Sequence, residues 1–127
     1  MILDSEEYTF LSRTIPRKLT LLQATREIDP KKVSEKMVKI YMKLAEKTEQ
    51  APLPEIEGIK FTRHELKEIS NLIKEHMIRT MGETIPEYKK RQQAEPDKSN
   101  FYQGYIDKEK AKVEALKTLL AKVEAET

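Results

Sequence analysis

The chain has 127 residues, of which 36% are charged and 38% hydrophobic, and its net charge is +2. This length is enough for a single domain, 1–127, with one modest core, and the high charge with only three glycines favours amphipathic helices over a sheet. The absence of cysteine excludes disulfides and thiolate metal sites. An acidic N-terminus and the lack of any long apolar run predict a cytoplasmic protein with no signal peptide and no membrane contact.

The first half of the chain carries start and stop signals for three helices. Asp4 is a predicted N-cap with acidic residues in the first turn after it, and Pro16 is expected to end or kink that helix, which gives helices over 4–14 and 17–28. Asp29-Pro30 is a start signal for the next helix, over 30–49. Its predicted apolar stripe follows helical spacing: Val33, Met37, Ile40, Tyr41 and Leu44.

A connector and a fourth helix follow. Two prolines and Gly58 break the helical pattern over 50–60, and apolar residues there predict a connector that is docked on the core. Thr62 and Glu65 have the spacing of a capping box, and Gly82 is a natural C-terminal cap, so the fourth helix is expected over 62–81.

The last third contains a basic segment and a long helix. Residues 82–97 are predicted to be irregular, with Pro86 starting either a short solvated helix or an exposed loop. A long C-terminal helix is expected over 98–125, in which Gly104 marks a bend or a close helix contact. Its apolar seam suits either an antiparallel hairpin with the fourth helix or an intersubunit coiled coil in a homo-oligomer: Ile106, Val113, Leu116, Leu120 and Val123.

These patterns predict an all-α fold, a helical bundle of four to five helices with a long C-terminal helix. The expected core contains the stripe of the third helix and the apolar faces of the others. Its members are Leu11, Leu22, Val33, Met37, Ile40, Tyr41, Leu44, Leu66, Ile69, Ile73, Met77, Tyr105, Val113, Leu116 and Leu120.

No arrangement of residues in the sequence points to catalysis, a metal or a cofactor. The two histidines, His64 and His76, are twelve positions apart on one predicted helix, about 18 Å along its axis, which is too far for them to cooperate. The glycines are scattered, so no phosphate-binding loop is formed. The sequence therefore predicts a protein that is not an enzyme and that has no cofactor.

Two surfaces are candidates for binding a partner. Aromatic and arginine side chains make good interface anchors, which favours a protein-binding surface at Tyr88, Lys89, Arg91, Phe101, Tyr102 and Tyr105, although these aromatics also suit the end of a bundle. Residues 12–47 hold ten Lys and Arg against four Asp and Glu, an excess that suits phosphates. The corresponding nucleic-acid patch is Arg13, Arg17, Lys18, Arg26, Lys31 and Lys32.

The sequence thus favours a small adaptor or regulatory protein that acts by helix-mediated protein–protein interaction. Its size and lack of motifs also suit an accessory protein of a phage or mobile element. Nucleic-acid binding through the basic 12–47 region is the alternative.

Overall fold

The computed structural model describes residues 1–25 and 30–127, and the side chains of residues 1–20 and 35–127. The fold is all-α, with a long C-terminal helix and one small pair of strands. The strands are β1 (Leu3–Asp4) and β2 (Glu55–Ile56), and the α-helices are α1 (Ser5–Thr25), α2 (Pro30–Ala45), α3 (Arg63–Arg79), α4 (Ile85–Ala94) and α5 (Ser99–Glu126).

Helix α1 begins where the sequence predicts and continues through its proline. The Asp4 N–H donates to the Glu7 carboxylate at 2.9 Å and the Glu7 N–H donates to the Asp4 carboxylate at 2.8 Å, a reciprocal capping box. The predicted helix end at Pro16 is wrong, because Pro16 lies inside the helix. A helix-interior proline costs about 3 kcal/mol, and the full burial of Leu11 and Ile15 just before it offsets that cost.

Helices α1 and α2 pack against each other. The Tyr8 hydroxyl donates to the carbonyl of Leu44 at 2.6 Å, which satisfies a carbonyl of the last turn of α2. The predicted start at Pro30 is confirmed, but α2 ends at Ala45 and a separate 3-10 turn covers Thr48–Gln50. Tyr41 was expected in the core and is 42% exposed, because the buried stripe of α2 is narrower than predicted.

The connector is docked, as predicted, through a strand that the sequence did not indicate. β2 pairs with β1 in antiparallel register, with Leu3 opposite Ile56. Ile56 and Ile59 are buried, whereas Leu53 is exposed. Gly58 adopts a positive φ of 76°, the conformation that favours glycine in a turn.

Helix α3 has the predicted capping box. The Thr62 N–H donates to the Glu65 carboxylate at 2.7 Å, and the Glu65 N–H donates to the Thr62 hydroxyl oxygen at 3.2 Å. The chain divides within this helix into two compact units, Met1–Ile69 with Ala125–Thr127 and Ser70–Glu124.

In the second unit the helical backbone continues through Gly82. The predicted C-terminal cap at Gly82 and the predicted irregular segment 82–97 are therefore both wrong. A π-helical turn over Thr80–Thr84 joins α3 to α4, and the Ile85 N–H donates to the Thr80 carbonyl. Pro86 has no N–H to donate to the Gly82 carbonyl and its ring needs room there, and the wider π turn provides that room. Of the two possibilities left open after Pro86, the short helix is the one formed.

Helix α5 returns antiparallel to α3 and α4 within this unit, after a 3-10 turn over Pro96–Lys98. The Gln92 amide donates to Gln103 at 3.0 Å near the turn, and Lys74 pairs with Glu124 at 3.5 Å near the open end. The contact partners therefore lie further from the turn on both sides of it, as in an antiparallel hairpin. The hairpin alternative for the α5 seam is confirmed for this unit.

Most of the expected core is buried, with three exceptions among the described side chains. Tyr41 and Tyr105 are exposed, and Leu120 is only half-buried because Leu119 takes the interior position. Leu22 and Val33 belong to the part of the chain whose side chains are not described. The confirmed members are Leu11, Met37, Ile40, Leu44, Leu66, Ile69, Ile73, Met77, Val113 and Leu116.

Candidate partner-binding surface

Four aromatic side chains meet at the closed end of the hairpin, and we call them the aromatic cluster: Tyr88 of α4 and Phe101, Tyr102 and Tyr105 of α5. The rings of Tyr88 and Tyr105 stack with centroids 5.3 Å apart and planes 15° apart. Phe101 meets Tyr105 edge-on at 5.0 Å and Tyr102 edge-on at 5.5 Å. Stacked and edge-on contacts of this kind favour particular ring orientations.

The cluster is anchored on one side and exposed on the other. Tyr102 is buried, and its hydroxyl donates to the carboxylate of Glu95 at the hairpin turn. That hydrogen bond lowers the pKa of Glu95, with help from the nearby Lys98 charge, and it raises the pKa of Tyr102. Phe101 is 59% exposed and Tyr105 is 39% exposed, so two rings of the cluster face solvent.

The two basic residues predicted for this surface are exposed and do not form a shared site. The Arg91 guanidinium pairs with Glu87 one turn earlier at 3.3 Å, and both side chains are more than half exposed. Lys89 is exposed on α4 and forms no ion pair within the described residues. Of the six predicted residues, the structure therefore brings the four aromatic ones together.

Gly104 adds a feature to this surface that the sequence pattern did not assign to it. It lies three positions after Phe101, on the same side of α5. A Cβ atom at Gly104 would meet no atom within 4 Å, so no close contact among the described residues explains the glycine. The exposed rings therefore lie beside one helical position whose backbone is not covered by a side chain of its own.

The predicted oligomer seam is covered in the single chain. Ile106, Val113, Leu116 and Val123 are at most 5% exposed, and Leu120 is half-buried. A coiled coil with a second subunit through these residues would require the hairpin to open. Self-association stays a prediction, and the seam is not a free surface for it.

The predicted nucleic-acid patch is only partly described. Arg13 and Arg17 are exposed one turn apart on α1, and Lys18 is half-buried and engaged in an interaction. Arg26 lies outside the described residues, and Lys31 and Lys32 lie in the part of α2 whose side chains are not described.

His64 is exposed and His76 is half-buried with an interaction of its own. Among the described residues, no group of three or more His, Asp or Glu side chains is arranged to hold a metal ion. In the same part of the chain, no helix has the length and apolar character needed to cross a membrane.

No family model, no curated protein and no solved structure matches this chain.

Proposed function

We propose that this chain is a non-enzymatic adaptor or regulatory protein that binds a protein partner through the aromatic cluster. The observation that carries the proposal is that Phe101 and Tyr105 are exposed while their ring contacts with Tyr88 and Tyr102 already favour one orientation of each ring. Aromatic anchors held in place before binding lose little side-chain entropy on association, and such residues dominate the energetics of interfaces.

Gly104 supports the same surface. A helix-interior glycine costs about 1 kcal/mol relative to alanine, and no described residue lies close enough to need its small size. Beside two exposed rings, a missing side chain lets a partner backbone come close to α5.

The test is capture of the partner by the tagged full chain in its native cells, followed by affinity measurement with the identified protein. We expect the double variant Phe101→Ala/Tyr105→Ala to weaken binding at least about tenfold, since each buried anchor is worth about 1 kcal/mol or more. Tyr41→Ala is the matched control, because Tyr41 is similarly exposed on α2 outside the cluster. Equal binding by the two variants, or recovery of a stoichiometric small molecule instead of a protein, contradicts the proposal.

Nucleic-acid binding through the 12–47 region is the second candidate, and it is supported by the exposed Arg13 and Arg17 on one face of α1. Phosphate contacts would make affinity fall steeply with salt. Titration of labelled duplex and single-stranded oligonucleotides at two salt concentrations tests it, with Arg13→Gln/Arg17→Gln as the variant. No binding at low salt would dismiss this candidate.

A further inference from the structure

A cleft lies at the π-helical turn of the hairpin, and its lining differs from the aromatic cluster. Its volume is about 430 Å³, and it is shallow and largely open to solvent. One wall comes from the chain on either side of the turn and the other from the middle of α5. The lining residues are Met81, Ile85, Lys110, Ala111, Val113, Glu114 and Lys117.

The floor of the cleft is apolar and part of it is open to solvent. Ile85 and Val113 are buried, whereas Met81 is 47% exposed. Ile78, one turn before Met81, is 68% exposed and lengthens the apolar strip beyond the lining. The π turn widens the helix at this place, and such turns frequently occur at functional sites.

The rim of the cleft has two lysines and one glutamate, so it carries one net positive charge. Lys117 pairs with Glu114 at 3.0 Å, so these two charges compensate each other. Lys110 is exposed and has no carboxylate within ion-pair distance in the described part of the chain. An apolar floor beside an uncompensated ammonium group is complementary to an apolar chain that ends in an anion.

We propose that this cleft binds a free aliphatic carboxylate, with the alkyl chain against Met81, Ile85 and Val113 and the carboxylate beside Lys110. The open rim leaves the head group partly in water. Binding of this kind would let the hairpin respond to a fatty-acid-like ligand.

The probe is dodecanoate below its micellar concentration, titrated into the isotopically labelled full chain and followed by amide NMR shifts. We expect saturable shifts at Ala111 and Val113. Decanoate is expected to bind roughly three- to tenfold more weakly, because each buried methylene contributes to affinity. Dodecyltrimethylammonium, with a similar chain and the opposite charge, is expected to bind several-fold more weakly than dodecanoate.

Two variants separate this site from general surfactant binding. Lys110→Gln is expected to weaken dodecanoate binding about threefold, the size of one solvent-exposed ion pair, while Lys108→Gln, an exposed lysine on the same helix that does not line the cleft, leaves it unchanged. Met81→Gln, at a half-exposed position, is expected to keep the helical circular dichroism and to weaken dodecanoate binding about fivefold, since it replaces an apolar side chain of the cleft floor with a polar one.

Four outcomes would each overturn the proposal. They are shifts that do not saturate, shifts confined to the aromatic cluster, equal affinity for dodecanoate and dodecyltrimethylammonium, and equal effects of the two lysine variants. The proposal would also be overturned if the wild type does not bind dodecanoate and Met81→Gln loses binding of the protein partner. That result would assign the cleft to a protein ligand.

Discussion

Glu65 caps its own helix and binds α2 at the same time. Its buried carboxylate accepts from the Thr62 N–H at 2.7 Å and from the Lys43 ammonium group, and Lys43 also lies 5.9 Å from the centre of the Phe61 ring. Burial opposes ionisation, but the hydrogen bonds from Lys43 and the Thr62 backbone outweigh it and hold the pKa of Glu65 below its ordinary value. The local cap and a contact between helices therefore depend on one carboxylate.

We expect Glu65→Gln to lower the free energy of unfolding at pH 7 by about 1–2 kcal/mol, because the glutamine can keep the cap but loses the charge-assisted hydrogen bond from Lys43. Because the folded pKa is lowered, this stabilisation is present above the unfolded pKa of about 4.3 and is lost as pH falls through the folded value. Urea unfolding at pH 7 and at pH 3 measures both effects, and the difference between wild type and variant should shrink at the lower pH.

The control for that substitution is Glu68→Gln on the same helix. Glu68 pairs with a 40% exposed Lys36 at 3.8 Å, and such a pair contributes less than about 1 kcal/mol. A larger loss at Glu68 than at Glu65 would show that the capping box and Lys43 are not the important contacts.

The two glycines Gly104 and Gly58 are expected to respond in opposite directions to alanine. Gly104→Ala should raise the free energy of unfolding by up to about 1 kcal/mol, because the helix gains propensity and the new methyl group meets no atom. Gly58→Ala should lower it, since φ is +76° and the Cβ atom would lie 3.1 Å from the Lys47 ammonium nitrogen. Thermal melting of both variants is sufficient, and destabilisation by Gly104→Ala would mean that the glycine is needed inside the chain.

At the scale of elements, the hairpin turn is closed by the Tyr102 hydroxyl on the Glu95 carboxylate. We expect Tyr102→Phe to raise the pKa of Glu95 towards its ordinary value, because this hydrogen bond is the main cause of its lowering. Carboxyl carbon NMR titration follows that pKa directly. Lys98→Gln, which removes a charge interaction and a weaker hydrogen bond, should also raise the pKa of Glu95. An unchanged pKa of Glu95 in Tyr102→Phe would contradict this assignment of causes.

The helix starts that depend on a local cap were predictable from the sequence, whereas the predicted stops at Pro16 and Gly82 are wrong. The caps at Asp4 and Thr62 depend on residues three positions apart, so the sequence alone specifies them. Pro16 and Gly82 disfavour a helix locally, but burial of Leu11 and Ile15 in one case and the π turn in the other keep the helix continuous. Those compensations come from packing and from backbone geometry that no local pattern shows.

Side-chain burial followed the predicted stripes except at single positions. Met37 and Ile40 are buried as expected, while Tyr41, one position further round the helix, is exposed. In α5 the interior position passes to Leu119 instead of Leu120, which lies about 100° further round the helix. The aromatic residues of the candidate surface were identifiable by type, but their mutual contacts depend on the hairpin register.

At the scale of the whole molecule, the α5 seam belongs to the folded single chain. We expect Leu116→Glu to abolish most of the helical circular dichroism, because a carboxylate at a 5% exposed position costs several kcal/mol. Ala115→Glu, at the exposed neighbouring position, should change the free energy of unfolding by less than about 0.5 kcal/mol. A folded Leu116→Glu protein with reduced mass in light scattering would instead return the seam to an interface between subunits.

The pairing of β1 with β2 has a consequence for the order of folding. It joins positions 3 and 56, whereas Gln92 reaches Ser99 and Gln103, seven and eleven positions away, at the closed end of the hairpin. Closing a longer loop costs more chain entropy before any contact repays it, so contacts close in sequence form earlier in folding. The aromatic end of the hairpin is therefore expected to nucleate its unit, and the strand pair to form late, so that Ile56→Val would mainly speed unfolding in stopped-flow experiments.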